Sequence, residues 1–177
     1  MYTLAAIRNA LVHEALSESD YCVVPTHSVS QQLDQLLDQL VAPLRVIPTF
    51  RQKVETVTPE DALTTVLELI KYRDFSQFPV YKDYQFVGLL TENGITRWLA
   101  ACTREKPIPD FSNVRVMQLL RREETNKTCA FVAATEEVRS VRGMFANQPL
   151  LEAVLITDNA NSRPPLKGII TRWDMLR

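Results

Sequence analysis

Glycine is scarce in this 177-residue chain, which has only four. A phosphate-cradling loop built from several glycines is therefore excluded. Histidine occurs only as His13 and His27, and cysteine only as Cys22, Cys102 and Cys129, with no C-x-x-C pair. That donor set supports neither a disulfide framework nor a zinc site, and no metal is expected. Three widely spaced thiols suit a reducing compartment, so a cytoplasmic location is expected. No apolar run approaches the roughly 18 residues of a membrane span, and Met1 to His13 lacks the cationic flank and apolar block of a signal peptide. Charge of one sign is not in excess either. A net charge of −1 gives no global attraction to nucleic acid, which is not expected as a partner. The charge is unevenly spread: Arg8 and Arg45 face five acids within residues 1–50, and the remainder is slightly basic. What the chain does have is 46% hydrophobic and 23% charged residues, the profile of a soluble globular protein with a real core.

The chain repeats itself. Val57-Thr58-Pro59-Glu60-Asp61-Ala62-Leu63-Thr64-Thr65-Val66, moved forward by 75, lands on Val132-Ala133-Ala134-Thr135-Glu136-Glu137-Val138-Arg139-Ser140-Val141. Leu63, Val66, Leu69 and Ile70 then coincide with Val138, Val141, Met144 and Phe145, the spacing of one helical face. Phe78 to Asp83 falls on Ala153 to Asp158 at the same offset, and both read as short buried strands ending at a turn. Gly88-Leu89-Leu90-Thr91 meets Gly168-Ile169-Ile170-Thr171 at an offset of 80. The five added residues fall in the polar, proline-bearing stretch Asn159 to Pro165, where a loop lengthens at little cost.

Each unit reads strand, helix, strand, strand, helix. The first is predicted as a strand at Val54–Thr58, a helix capped by Thr58 with Pro59 at its first position and ending near Arg73, strands at Phe78–Tyr81 and Gln85–Leu90, and a helix from Thr91 to Thr103. A linker, Arg104 to Asn113, and a short helix, Val114 to Arg121, lead into the second. Its predicted elements are a strand at Ala130–Ala133, a helix at Thr135–Asn147, strands at Leu151–Thr157 and Leu166–Ile170, and a last helix from Thr171.

The second unit ends in Gly168-Ile169-Ile170-Thr171-Arg172-Trp173-Asp174. Glycine at a strand end admits close approach to the backbone. Thr171 and Asp174, three apart at a helix start, share a face, where a hydroxyl and a carboxylate can hold a diol. Arg172 can add charge-assisted contacts to a phosphate, and Trp173 is assigned to packing. The same Thr-x-x-Asp spacing also serves as a helix capping box that needs no ligand.

With its G-h-h-S/T-x-x-D pattern and the duplication, the sequence over residues 44–177 resembles the tandem CBS-domain pair, or Bateman module. The resemblance implies an α+β fold: two β-α-β-β-α repeats packed as a pseudo-twofold pair, preceded by an N-terminal helical segment. The divisions are 1–43 for that segment, 44–105 for the first repeat and 106–177 for the second. It further implies a ribose at Gly168, Ile170, Thr171, Arg172 and Asp174, with a base against Phe131, Val132, Ala133 and, across the cleft, Val154. A second site would involve Thr58, Gly88 and Thr91. There the pattern departs, because Gly94 stands where the aspartate should be, leaving an empty cleft or an altered one using Glu92 or Asn93. Arg97, one turn on, either meets an anion or is simply solvated.

Residues 2–16 and 30–41 read as helices, the second with Leu33, Leu36, Leu37 and Leu40 on one stripe; Tyr21 to Val24 has an extended pattern. Arg8-Asn9-Ala10-Leu11-Val12-His13 resembles the R-N-x-x-x-H helix of HEPN ribonucleases, over about one helix only. The two side chains lie roughly 140° apart around a helix, so they would converge only from two chains.

Three functions follow. The first is a non-catalytic sensory module that binds AMP, ATP or another adenosyl compound between the repeats and acts as a homodimer. The second is an RNA-cleaving enzyme using Arg8 and His13. The third is an interaction scaffold with vestigial clefts.

Overall fold

The computed structural model describes residues 5–6, 8–9, 15–17, 20–21, 26–102, 111–120 and 128–176. It divides into two compact units, Met1–Pro43 and Leu44–Arg177.

In the first unit Ala5, Ala6, Arg8 and Asn9 are helical, but Leu16 is not: β1 (Ala15–Ser17) pairs antiparallel with β2 (Asp20–Tyr21). The rest of the 2–16 helix, and Cys22 to Val24, lie outside the described residues. Helix α1 (His27–Val41) carries the leucine stripe, and Leu33, Leu36, Leu37 and Leu40 are all exposed.

In the second unit, α2 (Val46–Thr49) is a single turn, followed by α3 (Leu63–Arg73), β3 (Gln77–Lys82), β4 (Gln85–Thr91) and α4 (Glu92–Cys102). Then come α5 (Val116–Leu120), β5 (Cys129–Ala133), α6 (Val138–Asn147), β6 (Ala153–Thr157), β7 (Gly168–Thr171) and a 3-10 turn at Trp173–Met175. Residues 104–110 of the expected linker, and Thr103 at the end of the expected helix, lie outside the described residues. In the second repeat β5 runs parallel to β6, and β6 antiparallel to β7. In the first, β3 and β4 form an antiparallel hairpin through Asp83-Tyr84, both with positive φ; with glycine so scarce, an aspartate and a tyrosine occupy these positions.

The strand expected at 54–58 is reduced to one parallel bridge, Val57 to Val80. Val57 donates to the Pro79 carbonyl (3.1 Å) and accepts from the Tyr81 amide (2.9 Å). Extending this ladder one step back would require an N–H at residue 79, and proline has none. Both long helices also begin three or four residues later than expected. Thr58 does not cap α3. Its amide instead donates to Asp61 Oδ2 (2.7 Å) in a turn that precedes the helix.

The two hydrophobic cores exchange their edges. Val114, Val116 and Leu119, in the lead-in that opens the second repeat, pack with Val57, Leu63, Val66, Phe78, Leu90 and Trp98 of the first. Val46, in the lead-in that opens the first repeat, packs with Val138, Val141, Phe145, Val154 and Ile170 of the second. The hydrogen bonds match: Val116 N to Asp61 O (3.1 Å) and Leu63 N to Val114 O (2.9 Å) on one side, Val46 N to Glu136 O (2.9 Å) and Val138 N to Leu44 O (2.8 Å) on the other. Each lead-in therefore completes the other repeat's core, so a cut at 105/106 divides both.

Aromatic rings also join the repeats. Phe86 meets Tyr81 edge-on at 5.5 Å and Phe131 at 5.0 Å. Among the described residues the buried Tyr81 hydroxyl has no hydrogen-bond partner. Burial, reinforced by the nearby Cys129, pushes its pKa up to about 12, and burial alone pushes the Cys129 thiol up to about 11. A buried hydroxyl with no partner costs stability. Tyr81→Phe, which removes it and keeps the ring, is expected to raise the unfolding free energy by about 1 kcal/mol. A urea titration measures this, and a loss instead would show that the hydroxyl does have a partner.

Candidate functional site

Among the described residues, two clefts open between the repeats. The first, about 350 Å³, is lined by Gln52–Glu55 of the lead-in, Arg73–Gln77 of the α3–β3 connection, and Ile169, Thr171 and Asp174. The second, about 340 Å³, is lined by Thr128, Pro149–Glu152 of the α6–β6 connection, Thr171–Trp173, and Gln77, Asn93 and Arg97 of the first repeat. Sliding the sequence by 75 puts Lys53 on Thr128 and Asp74–Gln77 on Pro149–Glu152, so the clefts are counterparts. Both volumes fall in the range of ordinary small-molecule sites. Thr171 and Gln77 line both.

At the end of β7, Asp174 Oδ2 accepts two bonds, from the Thr171 amide (2.7 Å) and the Thr171 hydroxyl (2.8 Å). This is the capping geometry, closed by a 3-10 turn rather than the expected helix. Asp174 Oδ1 takes no hydrogen bond among the described residues, and the Thr171 oxygen retains acceptor capacity. Cap and diol grip are therefore compatible at one place. In the first repeat the capping runs the other way: buried Thr91 Oγ1 accepts from the Gly94 amide (3.0 Å), with no carboxylate present.

Other expected site residues lie elsewhere. Gly168 is buried, and a Cβ there would collide with the Phe50 carbonyl oxygen, so the close approach it permits is the chain's own. Gly88 likewise makes room for Leu120. Val132, Val154 and Ile170 are buried in the second core, and Thr58 is exposed in its turn. Their side chains are committed to packing or left in solvent, so they do not form a base pocket. Ala133 and Phe131 are half-buried, and Phe131 packs on Phe86. The Arg172 guanidinium is already engaged. Nη1 donates to Phe145 O (3.0 Å), and Nη2 faces the carbonyls of Gln148 (3.1 Å), Pro149 and Leu151 (both 3.2 Å). Trp173, expected to pack, is 75% exposed. Arg8 Nη1 donates to Asn9 Oδ1 (3.0 Å), while His13 lies outside the described residues. Among the described residues no group of three or more His, Cys, Asp or Glu could hold a metal, and no helix is long and apolar enough to cross a membrane.

The cleft facing Asp174 is thus walled by the other repeat, through Gln52, Lys53, Glu55, Arg73, Ser76 and Gln77, none of which the motif points to. One signal was present: Leu44-Arg45-Val46 recurs as Val114-Arg115-Val116, the two lead-ins that cross over.

Residues 47–101 match the family model of the CBS domain. Over those residues the chain is similar to the CBS domain. Solved CBS structures extend the likeness over both repeats. A CBS-domain-containing protein from Kribbella flavida is 16% identical, with a TM-score of 0.53 over 71% of this chain and 91% of that one. A hexameric CBS-CP12 protein from bloom-forming cyanobacteria is 21% identical, with a TM-score of 0.55 over 75% and 69%. A Methanocaldococcus jannaschii protein proposed as an archaeal homologue of γ-AMPK is 17% identical, with a TM-score of 0.59 over 97% of this chain and 62% of that one. At these identities the likeness is one of fold: α+β, built of CBS repeats. No curated protein matches the sequence.

Proposed function

We propose that this CBS-domain protein is a regulatory module that binds an adenosyl compound in the cleft facing Asp174 and transmits occupancy without breaking a bond. The observation that carries the reading is the disposition of Asp174: one oxygen holds the Thr171 cap, and the other remains available beside a cleft of about 350 Å³. A ribose diol placed there donates to Oδ1 and to the Thr171 oxygen. The walls come from both repeats, so a ligand favours the arrangement that brings them together. Its effect is limited by its differential affinity for the two arrangements. We further propose that the module works as a cytoplasmic homodimer, the exposed leucine stripe of α1 being apolar surface for a second copy to cover.

Thermal unfolding with adenosine, AMP, ATP and S-adenosylmethionine tests this. A ligand at about 100 times its Kd adds about 2.7 kcal/mol. Asp174→Asn keeps an acceptor for the Thr171 cap but removes the charge. It is expected to abolish the ligand shift while changing unliganded stability by about 1 kcal/mol or less. No shift with any of the four compounds, or an unchanged shift in Asp174→Asn, would overturn the assignment.

A further inference from the structure

Helix α1 (His27–Val41) presents its apolar residues to solvent. Leu33, Leu36, Leu37 and Leu40 are 46%, 44%, 57% and 70% exposed, although they form one continuous stripe roughly 100° wide. A helix of roughly 15 residues is marginal in water by itself, and packing of its apolar face supplies most of its stability. This face therefore calls for a cover.

The polar residues say what kind. Asp34 and Asp38 lie roughly 110° or more from the middle of the stripe, and α1 contains no lysine or arginine. Covering the leucines thus strips no charge of its water. A membrane surface is a poor cover, because anionic headgroups repel two carboxylates that have no cation beside them. A basic partner helix would find its complement on the far face, not along the seam where charges select a partner. What fits is another apolar stripe with neutral flanks, and α1 itself provides one.

The stripe is also symmetric about its own middle. Its members fall at i, i+3, i+4 and i+7, which reads the same from either end. Turned end for end about the midpoint between Leu36 and Leu37, Leu33 meets the partner's Leu40 and Leu36 meets the partner's Leu37. The flanks match as well, because like edges meet in an antiparallel pair. Leu37, on one edge of the stripe, comes beside the partner's Leu37, and the glutamine edge, with Gln32, faces its own kind. A parallel pair would set Leu37 against the glutamine edge instead. Opposed helix dipoles favour the antiparallel pair further.

We propose that two copies of this chain pair through α1 as an antiparallel interface, with its twofold axis between Leu36 and Leu37. The inference rests on the homodimer proposed above, and gives that dimer its contact surface and its direction.

The test is disulfide trapping in the full chain, in a Cys22→Ser background that removes the thiol nearest α1 in sequence. Leu33→Cys and Leu40→Cys are made separately; both leucines are exposed, so neither change opens a core. In the antiparallel pair each new cysteine lies roughly 10 Å along the axis from its own copy, beyond the roughly 7 Å between Cα atoms that a disulfide spans. Mild oxidation is expected to cross-link the two variants when coexpressed, and neither variant alone. Each variant linking to itself overturns the direction, and no link in the coexpressed pair overturns the pairing. Sedimentation separates this inference from the reading beneath it. Leu37→Asp sets like charges together at the axis and is expected to weaken the dimer about a hundredfold, with the urea midpoint followed by tryptophan emission unchanged. A dimer that Leu37→Asp leaves intact sinks the α1 interface and keeps the homodimer. A monomeric wild type overturns both.

Discussion

Gly168→Ala is expected to cost about 3 kcal/mol, the upper end of what one added carbon does in a packed interior. No unusual φ is involved, since no glycine in the chain has a positive one. The reason is space. The new methyl would occupy the place of the Phe50 carbonyl oxygen and press on Ile156 Cδ1 at 3.1 Å. Neither side can yield easily. β7 is fixed to β6 by the Ile156–Gly168 register and by the bond from Lys167 N to Ile156 O (2.8 Å). The lead-in is tied to β7 by Gln52, whose amide donates to Lys167 O (3.2 Å) and whose side chain donates to Ile169 O (2.8 Å). Gly143→Ala supplies the control, because nothing lies within 4 Å of a Cβ there and the residue is inside α6. That change should stabilise by about 0.5–1 kcal/mol through helix propensity alone. Urea midpoints measured side by side would give shifts of opposite sign. Two shifts of the same sign would mean that the lead-in does not lie against β7.

This glycine also shows how far the sequence could be read. A glycine closing a strand ahead of a threonine signals close backbone approach, and that part is physically right. What approaches is a carbonyl more than a hundred residues earlier in the chain, and no local pattern specifies it. The repeat itself was legible because both copies must bury the same faces, so Leu63, Val66, Val138 and Val141 sit at matching positions. The strand at 54–58 was not, because its limit is set by a proline in the partner strand. The exchange between the repeats is not legible for a similar reason. Val116 falls in the expected short helix ahead of the second repeat and Val46 in no expected element, yet both are fully buried, each in the other repeat's core. The motif found Thr171 and Asp174, because hydroxyl and carboxylate at that spacing cap a turn whatever else they do. It could not show that the facing wall comes from residues 52–55 and 73–77. Nor could it show that Trp173 is solvated while Val154, a residue expected at the site, is sealed inside.

Arg172→Ala is expected to destabilise the second repeat by about 2–3 kcal/mol, although the residue is largely exposed. Its guanidinium lies at the end of α6, where helix carbonyls run out of internal partners. Phe145 O, Gln148 O, Pro149 O and Leu151 O all converge on it, and the cation lies 5.5 Å from the centre of the Phe145 ring. Removing it leaves several carbonyls competing for water in a half-buried turn and takes the favourable charge from the helix C-terminus. Water reaches the more open of them, which is why the expected loss stays below the sum of four bonds. Arg172→Lys separates charge from shape. An ammonium keeps the electrostatic attraction but cannot fan planar donors over four acceptors, so lysine should recover less than half of the loss. The 148–152 connection forms one wall of the Trp173 cleft. Its amides should therefore exchange hydrogen faster in Arg172→Ala than in the wild type, while those of β3 and β4 stay protected. Uniformly faster exchange across both repeats would mean that the arginine supports the fold as a whole. Full recovery by lysine would mean that charge alone holds the turn.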